Sequence, residues 1–116
     1  MIREAADMQK ETRDKMRGGN GSVGITHIFG PEELAAKTRL FARLRFPVGA
    51  SIGFHRHEGE EEVFYILSGR GVVDDNGTKR EVGPGDAVLT GGGAGHSIEA
   101  VGDESLELIA VILQYS

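Results

Sequence analysis

Through most of this chain apolar and polar residues alternate with a period of two, in short runs broken by glycine. That period marks half-buried β-strands, whose successive side chains point to opposite faces. Residues 40–46 carry it clearly: Leu40, Ala42, Leu44 and Phe46 fall on one side, Phe41, Arg43 and Arg45 on the other. Residues 23–29, 51–57, 87–90 and 96–101 also read as strands. Residues 62–67 are rich in the aromatic and β-branched types that pack well in sheets. Residues 72–82 predict a hairpin, because Asn76-Gly77 supplies the positive-φ positions of a tight type I′ turn. The final run, residues 106–115, is apolar on both faces: Leu106, Leu108, Ala110 and Ile112 on one, Ile109, Val111 and Leu113 on the other. One face can fill a core. The other then needs cover, from residues 1–29 or from a second chain. Residues 1–16 are charged and predict a short strand or turn with little other regular structure, and residues 30–34 read as one helical turn with Pro31 early in it. Short strands with turns at regular intervals imply an all-β sandwich or barrel.

Composition narrows the classes. A length of 116 residues is that of a single domain, here 1–116, and 18 glycines fit a turn-rich β fold. There is no cysteine, which excludes disulfides and thiolate metal sites and fits a cytoplasmic protein. No apolar run is long enough to span a membrane, and the polar, acidic start of the chain does not read as a signal peptide. The net charge is −5 with no basic block, which argues against a nucleic-acid partner.

Chemistry enters with the histidines. His55 and His57 are two apart on a predicted strand, so both side chains aim at one point while Arg56 aims away. Glu62 follows closely, and His96 opens a later strand. Imidazoles and a carboxylate form a mixed nitrogen and oxygen set suited to manganese, iron, nickel, zinc or cobalt. The competing reading is a polar core cluster without metal, but burying these groups unpaired is costly. Phe64 and Ile66 share the parity of Glu62 and are expected to line its pocket; Tyr65 points the other way, toward packing. Glu58, Glu60 and Glu61 are expected to cap a solvated turn, with Glu61 as the alternative ligand if the loop register differs. His27 is a candidate acid–base group, since histidine titrates near neutral pH. Arg17, Arg43 and Arg45 are candidates to meet a carboxylate or phosphate, Arg43 first among them. Glu62 could itself shuttle a proton. The run of residues 91–95 lacks the lysine and following helix of a phosphate loop, and is expected to let the backbone pass close to the pocket.

These residues resemble the cupin superfamily. Gly49, His55, His57, Glu62 and Gly69 match its first motif at every spacing, and Gly85, Gly93 and His96 match its second. The second motif departs at two positions, with Gly91 in place of proline and Ala100 in place of asparagine. The resemblance implies a small jelly-roll β-barrel with a core over residues 36–115 and a short N-terminal extension, residues 1–35. It implies one divalent transition metal held inside by His55, His57, Glu62 and His96, with manganese favoured. The chain looks most like short, free-standing bacterial cupins of the oxalate-decarboxylase-like or sugar-isomerase-like kind. The larger oxalate decarboxylases carry an arginine three residues before the first histidine, where this chain has Ile52, and a catalytic acid on a lid that has no counterpart here. The function expected is that of a metal-dependent enzyme acting on a small carboxylate or sugar derivative, by decarboxylation, dioxygenation or isomerisation. The alternative is a binding or sensor protein without turnover. Small cupins that look like this one commonly pair, so a two-fold homodimer is expected.

Overall fold

The computed structural model describes residues 1–116 and contains ten β-strands. They are β1 (Gln9–Asp14), β2 (Ser22–His27), β3 (Thr38–Phe46), β4 (Ser51–Arg56), β5 (Glu60–Ser68), β6 (Arg70–Asp75), β7 (Thr78–Val82), β8 (Ala87–Gly91), β9 (Gly95–Val101) and β10 (Leu106–Gln114). The only helical pieces are single 3-10 turns, Ala5–Asp7 and Met16–Gly18. The strands form two antiparallel sheets, a larger one ordered β1-β2-β3-β10-β5-β8 and a smaller one ordered β4-β9-β6-β7. This is a jelly roll, as expected, though its hydrogen bonds do not join the two sheets into one closed cylinder. No helix is long and apolar enough to cross a membrane.

The core lies between the sheets. β10 runs between β3 and β5, and its residues from Leu106 to Leu113 alternate between buried and half-buried. Leu106, Leu108 and Ala110 meet Ala42, Leu44 and Phe46 of β3, Phe64 and Ile66 of β5, and Ile52, Val73 and Ile98 of the small sheet. The Asn76-Gly77 turn has both residues at positive φ, and Asp74 accepts a hydrogen bond from the Gly77 N–H.

The short strand expected within residues 1–16 is present, whereas the helical turn expected at residues 30–34 is not. β1 pairs with β2 over its whole length, from Gln9 opposite His27 to Asp14 opposite Ser22. It has no buried residue, so no apolar period betrays it; pairing with β2 holds it, and β2 in turn buries Val23 and Ile25. Residues 30–34 make a turn closed by the Glu33 N–H on the Gly30 carbonyl, not a helical turn. The Glu33 side chain also accepts the Gly30 N–H, so the turn is closed by two bonds between the same pair of residues.

Candidate metal centre

The two sheets each supply part of the site. On the small sheet His55 of β4 lies directly opposite His96 of β9 in the strand register. A register shift between Ile52 and His55 lets both face the interior, although they are an odd number of residues apart. His57 follows β4 and is fixed by its backbone: its N–H donates to the Ala94 carbonyl and its carbonyl accepts from Gly93. The glycine-rich run thus docks on His57 just before it delivers His96. Where the cupin motif has proline, Gly91 has no room for a side chain, since a Cβ there would lie 2.5 Å from the Glu61 Cβ. Glu62 reaches across from β5 of the large sheet.

Four donor atoms converge. The His57 Nε2 lies 3.1 Å from the His55 Nε2, 3.0 Å from the His96 Nε2 and 3.0 Å from a Glu62 oxygen. The same oxygen lies 3.0 Å from the His96 Nε2. The rings stand at 71°, 74° and 88° to one another, as imidazoles do around a shared point. Outer contacts fix which nitrogen faces in. The His55 Nδ1 donates to the Gly53 carbonyl at 2.8 Å, and the His57 Nδ1 to the Glu60 carboxylate at 2.6 Å. In the neutral rings, the form that binds a metal, both Nε2 lone pairs then point inward. Phe64 stacks on His96 at 10°, and the His96 Nδ1 is buried without a partner.

Charge balance points the same way. Hydrogen bonding to Glu62, and then to Glu60, raises the His57 pKa above the ordinary imidazole value. Burial lowers that of His55, and the neighbouring imidazoles lower it further. Burial alone would raise the Glu62 carboxyl, but hydrogen bonds to His57 and His96 outweigh it and hold the group ionised. Two nitrogens at 3.0 Å from one carboxylate oxygen, with a third nitrogen 3.1 Å from the first of them, cannot all be satisfied by shared protons. A divalent cation satisfies them together, so the donor set fits a metal.

The site opens on a cavity of about 80 Å³. His55, His57 and Glu62 form its floor, Ile25, Leu40, Leu44, Ile52 and Ile112 its apolar walls, and Arg13, Arg17 and Arg39 its charged lining. Arg39 is committed elsewhere: two hydrogen bonds of 2.9 Å tie it to Glu60, which holds His57. Glu60 is thus a support for a site histidine rather than a turn residue, a role no local pattern signals, because Arg39 lies on another strand.

Other expected residues fall as follows. Phe64 and Ile66 are buried inside, in the core rather than on the cavity wall where they were expected, and Tyr65 is 47% exposed on the outer face. Neither His27 nor Arg43 lines the pocket. His27 contacts Glu11 at 2.5 Å beside a separate polar cavity that includes Arg3 and Glu33. Arg43 pairs with Glu107 outside the sheet, and Arg45 bonds Ser105. Glu61 is outside the donor set. Of the arginines first considered for an anion, only Arg17 reaches the cavity.

Comparison with known proteins agrees with this geometry. Residues 42–112, more than half the chain, match the cupin domain family. The chain is a cupin. It is 43% identical over 113 residues to an oxalate-binding protein of Thermotoga maritima, covering 97% of this chain and 93% of that protein. It is 31% identical over 90 residues to an uncharacterized protein of Methanocaldococcus jannaschii, covering 78% of this chain and 71% of that one. The crystal structure of a predicted oxalate decarboxylase from Thermotoga maritima superposes with a TM-score of 0.93 at 43% identity, over 98% of this cupin and 99% of that chain.

Proposed function

We propose that this cupin binds a small carboxylate, with oxalate as the model ligand, at a divalent metal held by His55, His57, Glu62 and His96. The observation that carries the reading is the cavity over the donors. At about 80 Å³ it is far smaller than the roughly 300–1,000 Å³ of pockets for drug-sized ligands, so it suits a ligand of a few heavy atoms. Its charged lining is cationic apart from Glu62, which suits an anion. The likeness to a protein named for oxalate binding supports the same ligand class. The bound metal would supply Lewis acidity and open positions for ligand oxygens. Manganese is the favoured ion, with iron, nickel, zinc or cobalt as alternatives; metal analysis of purified protein tests this. The absence of cysteine suits the cytoplasm.

Binding without turnover is favoured over catalysis because the cavity holds no acid or base outside the donor set. Turnover is the second reading, and Glu62 is what favours it: it is the one carboxylate that both joins the donor set and lines the cavity. Calorimetric titration of oxalate into the manganese-loaded protein is the test. Saturable binding, absent without metal, with no formate or carbon dioxide released, is the expected result. Release of both would establish decarboxylation instead. No binding with metal present would overturn the carboxylate reading altogether.

The protein also pairs, on this reading, as a two-fold homodimer. The outer face of the large sheet leaves Tyr65 and Leu89 at 47% and 65% exposure beside the half-buried Val63 and Val111. A contiguous apolar sheet face of this kind needs cover, and a second copy supplies an identical one.

A further inference from the structure

The segment between β1 and β2 is built unlike the rest of the molecule. Lys15 and Arg17 both hold left-handed backbone, with φ of 49° and 52°, where glycine would be the ordinary choice. Side chains stay in that region only when surrounding contacts enforce it. Here the contacts are plain. The Lys15 N–H donates to the Gly21 carbonyl at 2.9 Å, and the Gly19 N–H to the Met16 carbonyl at 2.9 Å. Asn20 is tied to β4 twice, its carbonyl accepting from the Ser51 N–H and its N–H donating to the Ser51 hydroxyl, each at 2.8 Å.

Two glycines allow the segment to lie flat on β4. A Cβ on Gly53 would stand 2.0 Å from the Arg17 carbonyl, and a Cβ on Gly19 would stand 2.1 Å from the Ser51 carbonyl. The backbone of Arg17 is therefore pressed against the residue whose own carbonyl orients His55. The result is a clasp that sets Arg17 at the cavity over the donors. Of the three arginines there, Arg13 is paired with Glu11 and Arg39 with Glu60. Arg17 has no carboxylate partner and makes no side-chain hydrogen bond within the chain. Arg17 is exposed, so its guanidinium is hydrated and free to meet an anion that enters the cavity.

We propose that Arg17 is the residue that selects the ligand's charge: its guanidinium bonds the carboxylate oxygens facing away from the donor set, and so favours a dianion such as oxalate over a monoanion such as acetate. This rests on the carboxylate reading above and goes beyond it by naming the group that reads the ligand. A planar fork of donors matches a carboxylate in a way a point charge does not.

The test compares manganese-loaded wild type, Arg17→Asn and Arg43→Gln by calorimetry with oxalate and with acetate. Asparagine tolerates left-handed backbone, so the clasp is kept while the guanidinium is lost. Arg43→Gln removes the same charge from the outer face of the large sheet, away from the cavity. The expected result is oxalate affinity reduced roughly ten- to a hundredfold in Arg17→Asn, the range for a lost hydrogen bond to a charged group. Acetate affinity should change far less, manganese affinity should stay as in wild type, and Arg43→Gln should bind oxalate as wild type does. Wild-type oxalate affinity in Arg17→Asn would overturn the role of Arg17 and leave the carboxylate reading standing. An equal loss in Arg43→Gln would reduce the effect to net charge and overturn it too. No oxalate binding by the metal-loaded wild type would overturn both readings.

Discussion

His57 is the hinge of the donor set: it contacts both other imidazoles and Glu62 within 3.1 Å, and Glu60 holds its far side. Metal that binds only the folded state stabilises it by about 2.7 kcal/mol at a hundredfold excess over Kd. His57→Ala is expected to abolish that gain while the fold remains, which thermal melts with and without metal will show. Glu60→Gln keeps the shape but loses the carboxylate that orients His57. Such outer partners are typically worth roughly ten- to a hundredfold in metal affinity. A competition titration with a chelator measures the loss. Glu60 also sets a pH dependence. Its pKa is lowered from 4.5 to about 2, chiefly by the hydrogen bonds from Arg39 against the opposing effect of burial, with His57 adding to the fall. A depressed carboxyl pKa stabilises the fold above pH 4.5, and that contribution is lost as pH falls from 4.5 through about 2. Urea titrations of metal-free protein across that window should show wild type losing more stability than Glu60→Gln.

At the scale of elements, the site depends on three irregularities in otherwise regular strands. The register shift in β4 turns Ile52 and His55 inward together. The run of residues 91–95 hydrogen-bonds to both backbone groups of His57. The clasp between β1 and β2 closes over the cavity. Gly19 has ordinary negative φ, at −74°, so alanine there brings no backbone strain and acts only through the clash with the Ser51 carbonyl. Gly19→Ala is expected to lift the clasp and weaken oxalate binding while manganese binding persists. Equal oxalate affinity in wild type and variant would show that the clasp does not shape the cavity.

For the whole molecule, assembly turns on the outer face of the large sheet. Its two edges differ: β1 ends it with charged, exposed residues, whereas β8 ends it with Leu89. Charged edges discourage pairing, and apolar sheet faces invite it. Light scattering at micromolar concentration is expected to give about twice the 12.4 kDa chain mass. Leu89→Glu places a charge on an exposed position and should yield a monomer that melts as a folded protein. A wild-type monomer would remove the dimer from the account.

The sequence alone determined the strands of the core and the shared face of His55 and His57. Both follow from local rules: a period of two fixes which side chains share a face, and a glycine pattern fixes where the chain turns. The motif spacing singled out Glu62 and His96 beside them, but the meeting of the four across two sheets belongs to the tertiary structure. Only the tertiary structure decided the rest, because the rest depends on pairs distant in sequence. β1 has no apolar face of its own and exists through β2. Glu60 becomes a support for His57 only because Arg39 lies beside it. Arg43 and Arg17 are both arginines near strands, alike in sequence. Strand parity turns the first outward, and a clasp pressed onto Gly53 brings the second to the cavity.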